Sequence, residues 1–122
     1  MIRRLQFAQV GVAALLLCGI ASAHPLLKTA SPKPNAVLTT SPTQIRIGFS
    51  EGLVLVFSGI EVDNAAGKAV ATGAATLNAS DSRELIVPLA AKLGPGTYIV
   101  KWHAVGDDTH RVSGHYNFDV KG

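Results

Sequence analysis

Two short polar segments of the chain carry residue types that bind transition metals. His24 directly follows Ala21-Ser22-Ala23, and Asp108 and His110 stand two positions apart towards the carboxyl end. Imidazole nitrogen and carboxylate oxygen are donors that suit Cu(II), and a tetragonal set of them is the arrangement that this ion prefers. Nitrogen-rich sites also bind Zn(II) and Ni(II), so these residues predict a metal site without specifying which metal it binds.

The segment before His24 has the three parts of a secretory signal. Arg3 and Arg4 give it a positive start, and an apolar stretch follows from about residue 7 to residue 20. Ala21-Ser22-Ala23 then fits the small-x-small pattern at which signal peptidase cleaves. We therefore predict that residues 1–23 are a cleaved signal peptide and that the protein is exported to the periplasm.

Two other fates of this segment remain as alternatives. It could stay as a membrane anchor, although its apolar stretch is short for a membrane span. It could also direct lipid attachment at Cys18, although Leu17 stands where a small residue is wanted. Under the signal-peptide interpretation, residues 24–122 form the mature domain.

Cleavage after Ala23 would make His24 a bidentate metal ligand. Its free α-amine and the Nδ1 atom of its own imidazole can close a chelate ring on one ion, which is a strong nitrogen pair for Cu(II). The following residue, Pro25, has no amide hydrogen for the metal to displace, so the other ligands must come from elsewhere in the fold. The alternative is that cleavage leaves an ordinary solvated histidine.

Asp108-Thr109-His110 and Glu51 are the other candidate ligands. In extended backbone, residues two apart point to the same side, so Asp108 and His110 would face a common point with Thr109 turned away. Glu51, at the end of a predicted strand, could add an oxygen ligand or orient a ligating histidine. The alternatives are a polar loop between two strands and an exposed glutamate at a strand end.

The composition of the mature chain limits the chemistry. Without residues 1–23 the chain has no cysteine and no methionine, which excludes a disulfide, a thiolate zinc site and soft sulfur ligands for Cu(I). Its net charge falls from +3 to +1, because Arg3 and Arg4 are lost. This small net charge does not indicate a basic surface of the kind that binds nucleic acid. Phosphate-binding, serine-hydrolase and zinc-peptidase motifs are also missing from the sequence.

Period-two alternation after His24 predicts the elements that must position these residues. Apolar side chains alternate in Gln44–Phe49, in 97–104 and from Tyr116 to Val120, with shorter candidates at 26–30, 59–62 and 84–89. Turn residues separate them, as in Asp63-Asn64-Ala65-Ala66-Gly67. About seven short strands predict an all-β protein, a small Greek-key sandwich or barrel. Tyr98 and Trp102 then face the core, while His103 and His115 point outward.

Several motifs, taken in order, resemble the CopC family of bacterial periplasmic copper proteins, and the likeness spans essentially the whole mature chain. They are His24-Pro25, Phe49-Ser50-Glu51, Pro95-Gly96-Thr97-Tyr98 with Trp102, Asp108-Thr109-His110, and Gly114-x-Tyr116-x-Phe118.

The resemblance implies a cupredoxin-like or immunoglobulin-like β-domain that lacks the blue-copper electron-transfer site. It implies Cu(II) held by the amine and imidazole of His24, the carboxylate of Asp108 and the imidazole of His110, with Glu51 at the site in some members. Certain members carry a second, methionine-rich Cu(I) site, which this chain cannot form. Related proteins act beside an inner-membrane partner of the CopD type, which would here be a separate protein.

We therefore expect a monomeric periplasmic Cu(II)-binding protein that sequesters or delivers copper and is not an enzyme. One alternative is a copper monooxygenase-like enzyme, because such enzymes also use an amino-terminal histidine. The carboxylate of Asp108 argues against it, since it would occupy a position that oxygen chemistry needs open. The other alternative is an exported interaction module that binds no metal.

Overall fold

The computed structural model describes residues 25–122, which form eight β-strands and one short 3-10 turn. The strands are β1 (Leu27–Ser31), β2 (Val37–Leu38), β3 (Gln44–Phe49), β4 (Gly59–Asn64), β5 (Thr76–Asn78), β6 (Asp81–Pro88), β7 (Gly96–Val105) and β8 (Arg111–Val120). The 3-10 turn, Leu55–Phe57, lies between β3 and β4.

The strands form two four-stranded sheets. One sheet has the order β1-β3-β6-β5 and the other β2-β8-β7-β4. All pairs are antiparallel except β2 with β8, which run parallel. The chain passes repeatedly from one sheet to the other, so each sheet contains strands that are distant in sequence.

The core lies between the sheets and is built from alternate residues of the long strands. In β3, Ile45, Ile47 and Phe49 are buried while the residues between them are only half-buried. Opposite them, β7 and β8 contribute Tyr98, Val100, Ala104, Tyr116, Phe118 and Val120. Such alternation buries one face of each sheet and leaves the other in water, as in other antiparallel sandwiches.

The predicted all-β, two-sheet fold is confirmed, and β3 has the bounds that its alternation predicted. Two strands were missed, β2 with two residues and β5 with three, because neither is long enough to show a period. Tyr98 is buried and Trp102 packs against the core, edge-on to Phe49 at 5.3 Å. His115 is exposed on the outer face, as predicted, and the partly exposed His103 lies on that face as well.

The hairpin of β7 and β8 is the element that carries the candidate site. Its ten paired positions run without a register shift from Gly96 opposite Val120 to Val105 opposite Arg111. Residues 106–110 form the loop that joins the two strands, so the hairpin holds Asp108 and His110 at one end of the sandwich. Within residues 25–122 there is no helix long and apolar enough to cross a membrane.

Candidate metal centre

The loop of residues 106–110 is a tight turn. The N–H group of Thr109 donates to the carbonyl of Gly106 at 2.9 Å, and Thr109 has a φ of +67°. Gly106 is buried and bridges to Leu53, which fixes the start of the loop. The sequence prediction of extended backbone through this segment is therefore wrong, because the chain must reverse here to pair β8 with β7.

The turn nevertheless brings the side chains of Asp108 and His110 together. Oδ2 of Asp108 lies 3.3 Å from Nδ1 of His110, and Oδ1 of Asp108 accepts the N–H of His110 at 3.2 Å. The two side chains are close because the Asp108 side chain bonds to the backbone two residues further on, a turn that Asp often forms in loops. The pair places one carboxylate and one imidazole nitrogen side by side.

The two side chains differ in exposure. The side chain of Asp108 is 25% exposed and that of His110 is 62% exposed. Oδ2 of Asp108 is itself buried, and no hydrogen bond within residues 25–122 reaches it, although it lies at ion-pair distance from His110. A buried carboxylate oxygen without a hydrogen bond is costly, and it is an atom that a cation would stabilise.

Glu51 lies beside this loop. A Cβ atom added to Gly106 would come within 2.8 Å of Cδ and 3.3 Å of Cγ of Glu51, so the glutamate side chain packs directly on the glycine. The residue is half-buried, and a larger residue than glycine at position 106 would displace its carboxylate. The structure therefore brings Glu51 to the loop that carries Asp108 and His110, and does not leave it free at a strand end.

The amino-terminal end of the described chain reaches the same region. The N–H of Leu26 donates to Oγ of Ser50 at 2.8 Å, and the N–H of Ser50 donates to the carbonyl of Leu26 at 2.8 Å. The side chain of Pro25 is fully buried. Position 25 is thereby held next to the Ser50-Glu51 segment. His24, predicted as a ligand, lies outside the described residues.

Residues 25–122 contain no group of three or more His, Cys, Asp or Glu side chains placed to hold one metal ion. The described part of the chain contributes the Asp108 and His110 pair, with Glu51 nearby. His103 and His115 lie on the outer face of the hairpin, beside a groove of about 360 Å³ that also contacts Lys101 and Arg111. Burial and the nearby Arg111 lower the pKa of His103, whose ring lies over Gly59.

An exposed apolar turn next to the loop was not predicted from the sequence. Val56 is 79% exposed and Phe57 is 60% exposed, which is unusual for two consecutive apolar residues. They line a groove with Thr109 and Arg111, so the turn adjoins the candidate ligands. The sequence did indicate an unusual segment here. All five residues of Leu53-Val54-Leu55-Val56-Phe57 are apolar, whereas a half-buried strand would alternate apolar and polar residues.

The family model that describes the CopC domain matches residues 27–121, which is most of the chain. The chain belongs to the CopC family. Its resemblance to that family, read from the spacing of the motifs, is thereby confirmed. The match includes the β3 end with Glu51 and the loop with Asp108 and His110.

Relatives and solved structures agree with this assignment. Protein YobA of Escherichia coli is 40% identical over 119 residues, covering 98% of this chain and 96% of that protein. Copper resistance protein C of Pseudomonas syringae is 32% identical over 126 residues, covering 99% of each chain. The crystal structure of CopC from Methylosinus trichosporium superposes with a TM-score of 0.75 at 32% identity, covering 80% of this chain and 94% of that one.

Proposed function

We propose that this CopC-family chain is a copper-binding protein that holds one Cu(II) ion at the loop of residues 106–110. The observation that carries the proposal is the Asp108–His110 pair, in which a buried carboxylate oxygen lies 3.3 Å from an imidazole nitrogen. These are nitrogen and oxygen donors of the kind that Cu(II) prefers, and the chain after Met1 has no methionine to favour Cu(I).

The remaining donors in this proposal are the amine and imidazole of His24. The bonds between Leu26 and Ser50 hold the chain beside Glu51, which packs against the first residue of the loop. Two nitrogens from His24, one from His110 and one oxygen from Asp108 complete a tetragonal set of four.

Charge supports a role for Glu51 near this set. With neutral nitrogen donors and one carboxylate, a Cu(II) site keeps one positive charge, which the carboxylate of Glu51 would offset from its place over Gly106. Glu51 then acts as a further ligand or as an acceptor that orients one. Because all ligands must be deprotonated, the affinity for Cu(II) should fall as the pH is lowered.

The biological role that we propose is to sequester copper in the periplasm or to deliver it to an acceptor. Export rests on the predicted cleavage of residues 1–23. Delivery is supported by the exposed turn at Val56 and Phe57, which gives a partner an apolar surface in the same groove that Thr109 lines. The expected acceptor is a separate inner-membrane copper transporter of the CopD type, and the protein is expected to act as a monomer without catalytic turnover.

The test is a copper titration of protein exported to the periplasm, with its intact mass measured first. We expect a mass that begins at His24, one Cu(II) bound per chain in a competition titration, and a tetragonal electron paramagnetic resonance signal with nitrogen coupling. His24→Ala should lower the affinity at least about 100-fold, because ligand loss exceeds the 10- to 100-fold cost typical of changes around a ligand. His115→Ala, on the exposed outer face of β8, is the matched control and should bind as the wild type does.

Three outcomes would contradict the proposal. Equal affinities of the wild type and His24→Ala would remove the amino terminus from the site. Copper that stays in its aquo form would favour the metal-free interaction module. Sustained, reductant-driven oxidation of a polysaccharide would favour the monooxygenase alternative.

A further inference from the structure

A serine joins the amino-terminal end of the domain to the end of β3. Oγ of Ser50 accepts the N–H of Leu26 at 2.8 Å, while the backbone N–H of Ser50 donates to the carbonyl of Leu26 at 2.8 Å. These two bonds extend the pairing of β1 with β3 by one residue beyond Leu27, which lies opposite Phe49. Nothing else in the hydrogen bonding of residues 25–122 holds the backbone of Pro25 and Leu26.

The bond between Leu26 and Ser50 is important because the pairing of β1 with β3 is irregular near the start of β1. Its pairing with β3 is regular from Thr29 to Ser31 but shifts between Leu27 and Thr29. A ladder with an irregularity this close to its end does not by itself determine where the next residues lie. The bond from Leu26 to the Ser50 side chain supplies a fixed point after the irregularity and two residues from His24.

We propose that Ser50 is a positioning residue of the copper site, which clamps Leu26 so that the amine and imidazole of His24 are held at the loop of Asp108 and His110. This inference rests on the proposed function. Ser50 does not bind the metal, and it acts only through the placement of the chain end. Glu51, the residue after Ser50, packs on Gly106. The side chain of Glu51 therefore lies between the Ser50–Leu26 pair and the loop of residues 106–110.

The clamp should affect copper binding far more than folding. Ser50 and the bond that it accepts are exposed to solvent, so water can replace the hydroxyl at the N–H of Leu26. A chelate, in contrast, depends on the orientation of its donors, and removing a group that orients a ligand typically lowers metal affinity about 10- to 100-fold. The two effects can therefore be separated by measurement.

The experiment compares Ser50→Ala, Ser50→Thr and Ser41→Ala in the mature protein, with Cu(II) as the probe. Ser50→Ala should lower the Cu(II) affinity at least about tenfold and change the nitrogen coupling in the electron paramagnetic resonance spectrum. Ser50→Thr keeps the hydroxyl and should restore both. Ser41→Ala is the matched control, because Oγ of Ser41 accepts the N–H of Leu93 at 2.8 Å in a segment that adjoins the opposite end of the hairpin. It should leave copper binding unchanged.

Urea unfolding of each apo-protein completes the design. A Ser50→Ala protein that keeps both the affinity and the spectrum of the wild type would overturn the clamp. So would a loss of affinity that Ser50→Thr does not restore. His24→Ala is measured in parallel: if it binds copper as the wild type does, the proposed function fails, whereas if it alone loses affinity, only the clamp fails.

Discussion

The two ends of the β7–β8 hairpin use their polar groups in different ways. At the end where β7 begins, the hydroxyl of Tyr98 donates to the carbonyl of Gly94 at 2.8 Å, and Oγ1 of Thr97 donates to Asp119 at 2.8 Å. At the end where β7 finishes, the loop keeps a buried carboxylate oxygen on Asp108 that no hydrogen bond within residues 25–122 reaches. It also holds Thr109 in the left-handed region.

This difference separates a structural end from a candidate binding end. At the first end, the side chains of Tyr98 and Thr97 are hydrogen-bonded within the fold. The loop end instead keeps a β-branched residue at a positive φ and an incompletely bonded carboxylate, both of which cost free energy. Unfavourable features of this kind concentrate at binding sites, where a ligand offsets them. The comparison can be tested by making matched changes at the two ends.

The largest effect should come from removing the Asp108 carboxylate. We expect Asp108→Ala to lower the affinity for Cu(II) at least about 100-fold, because it deletes a proposed ligand. Asp119→Ala removes an aspartate at the other end, where it accepts from Thr97. It should leave copper affinity within about twofold and lower the free energy of unfolding by about 1 kcal/mol. Competition titration and urea unfolding measure the two quantities.

The proposal that only the loop end binds copper would be contradicted if both aspartate variants bound copper as tightly as the wild type. It would be contradicted equally if Asp119→Ala weakened copper binding as much as Asp108→Ala. Either result would mean that the loop is an ordinary connection between strands.

A second pair of variants compares bonded and unbonded hydroxyl groups. Tyr98→Phe removes the part-buried bond to Gly94 and should lower the free energy of unfolding by about 1 kcal/mol, the net contribution of a typical hydrogen bond. The hydroxyl of Tyr116 is buried with no hydrogen bond in the described chain, and its burial raises the pKa to about 12. Tyr116→Phe should therefore be neutral or stabilising by up to about 1 kcal/mol. A larger loss in Tyr116→Phe than in Tyr98→Phe would contradict the structure.

The smallest effect concerns the backbone of the loop. Thr109→Asn should raise the free energy of unfolding by about 0.5–1 kcal/mol, because asparagine tolerates the left-handed region better than a β-branched residue. Thr97→Asn makes the same exchange within β7 at the other end, where it removes the bond to Asp119, and should be destabilising. Chemical unfolding of both apo-proteins distinguishes them, and a destabilised Thr109→Asn protein would show that the loop stores no strain.

The sequence by itself determined the fold class and most of the strands. Period-two alternation assigned β3 in full, nearly all of β7 and the second half of β8, because burying one face of a sheet demands that pattern. The first half of β8 was not assigned from the sequence. The same sequence pointed to Asp108 and His110 as a pair and to the CopC family, since the residue types and their order are local information. Composition also excluded sulfur ligands within residues 25–122, which contain neither cysteine nor methionine.

Only the tertiary structure decided how the separate segments meet. The proximity of Asp108 to His110 arises from a reversing turn with Thr109 at a positive φ, not from the extended backbone that the spacing suggested. The packing of Glu51 on Gly106 and the bonds of Leu26 to Ser50 join positions far apart in the chain. No local pattern encodes such contacts, because they follow from which strands pair and in which register. The sequence could name Asp108, His110 and Glu51 as candidate donors, but only the pairing of β7 with β8 and the packing of Glu51 on Gly106 bring these three residues to one end of the sandwich.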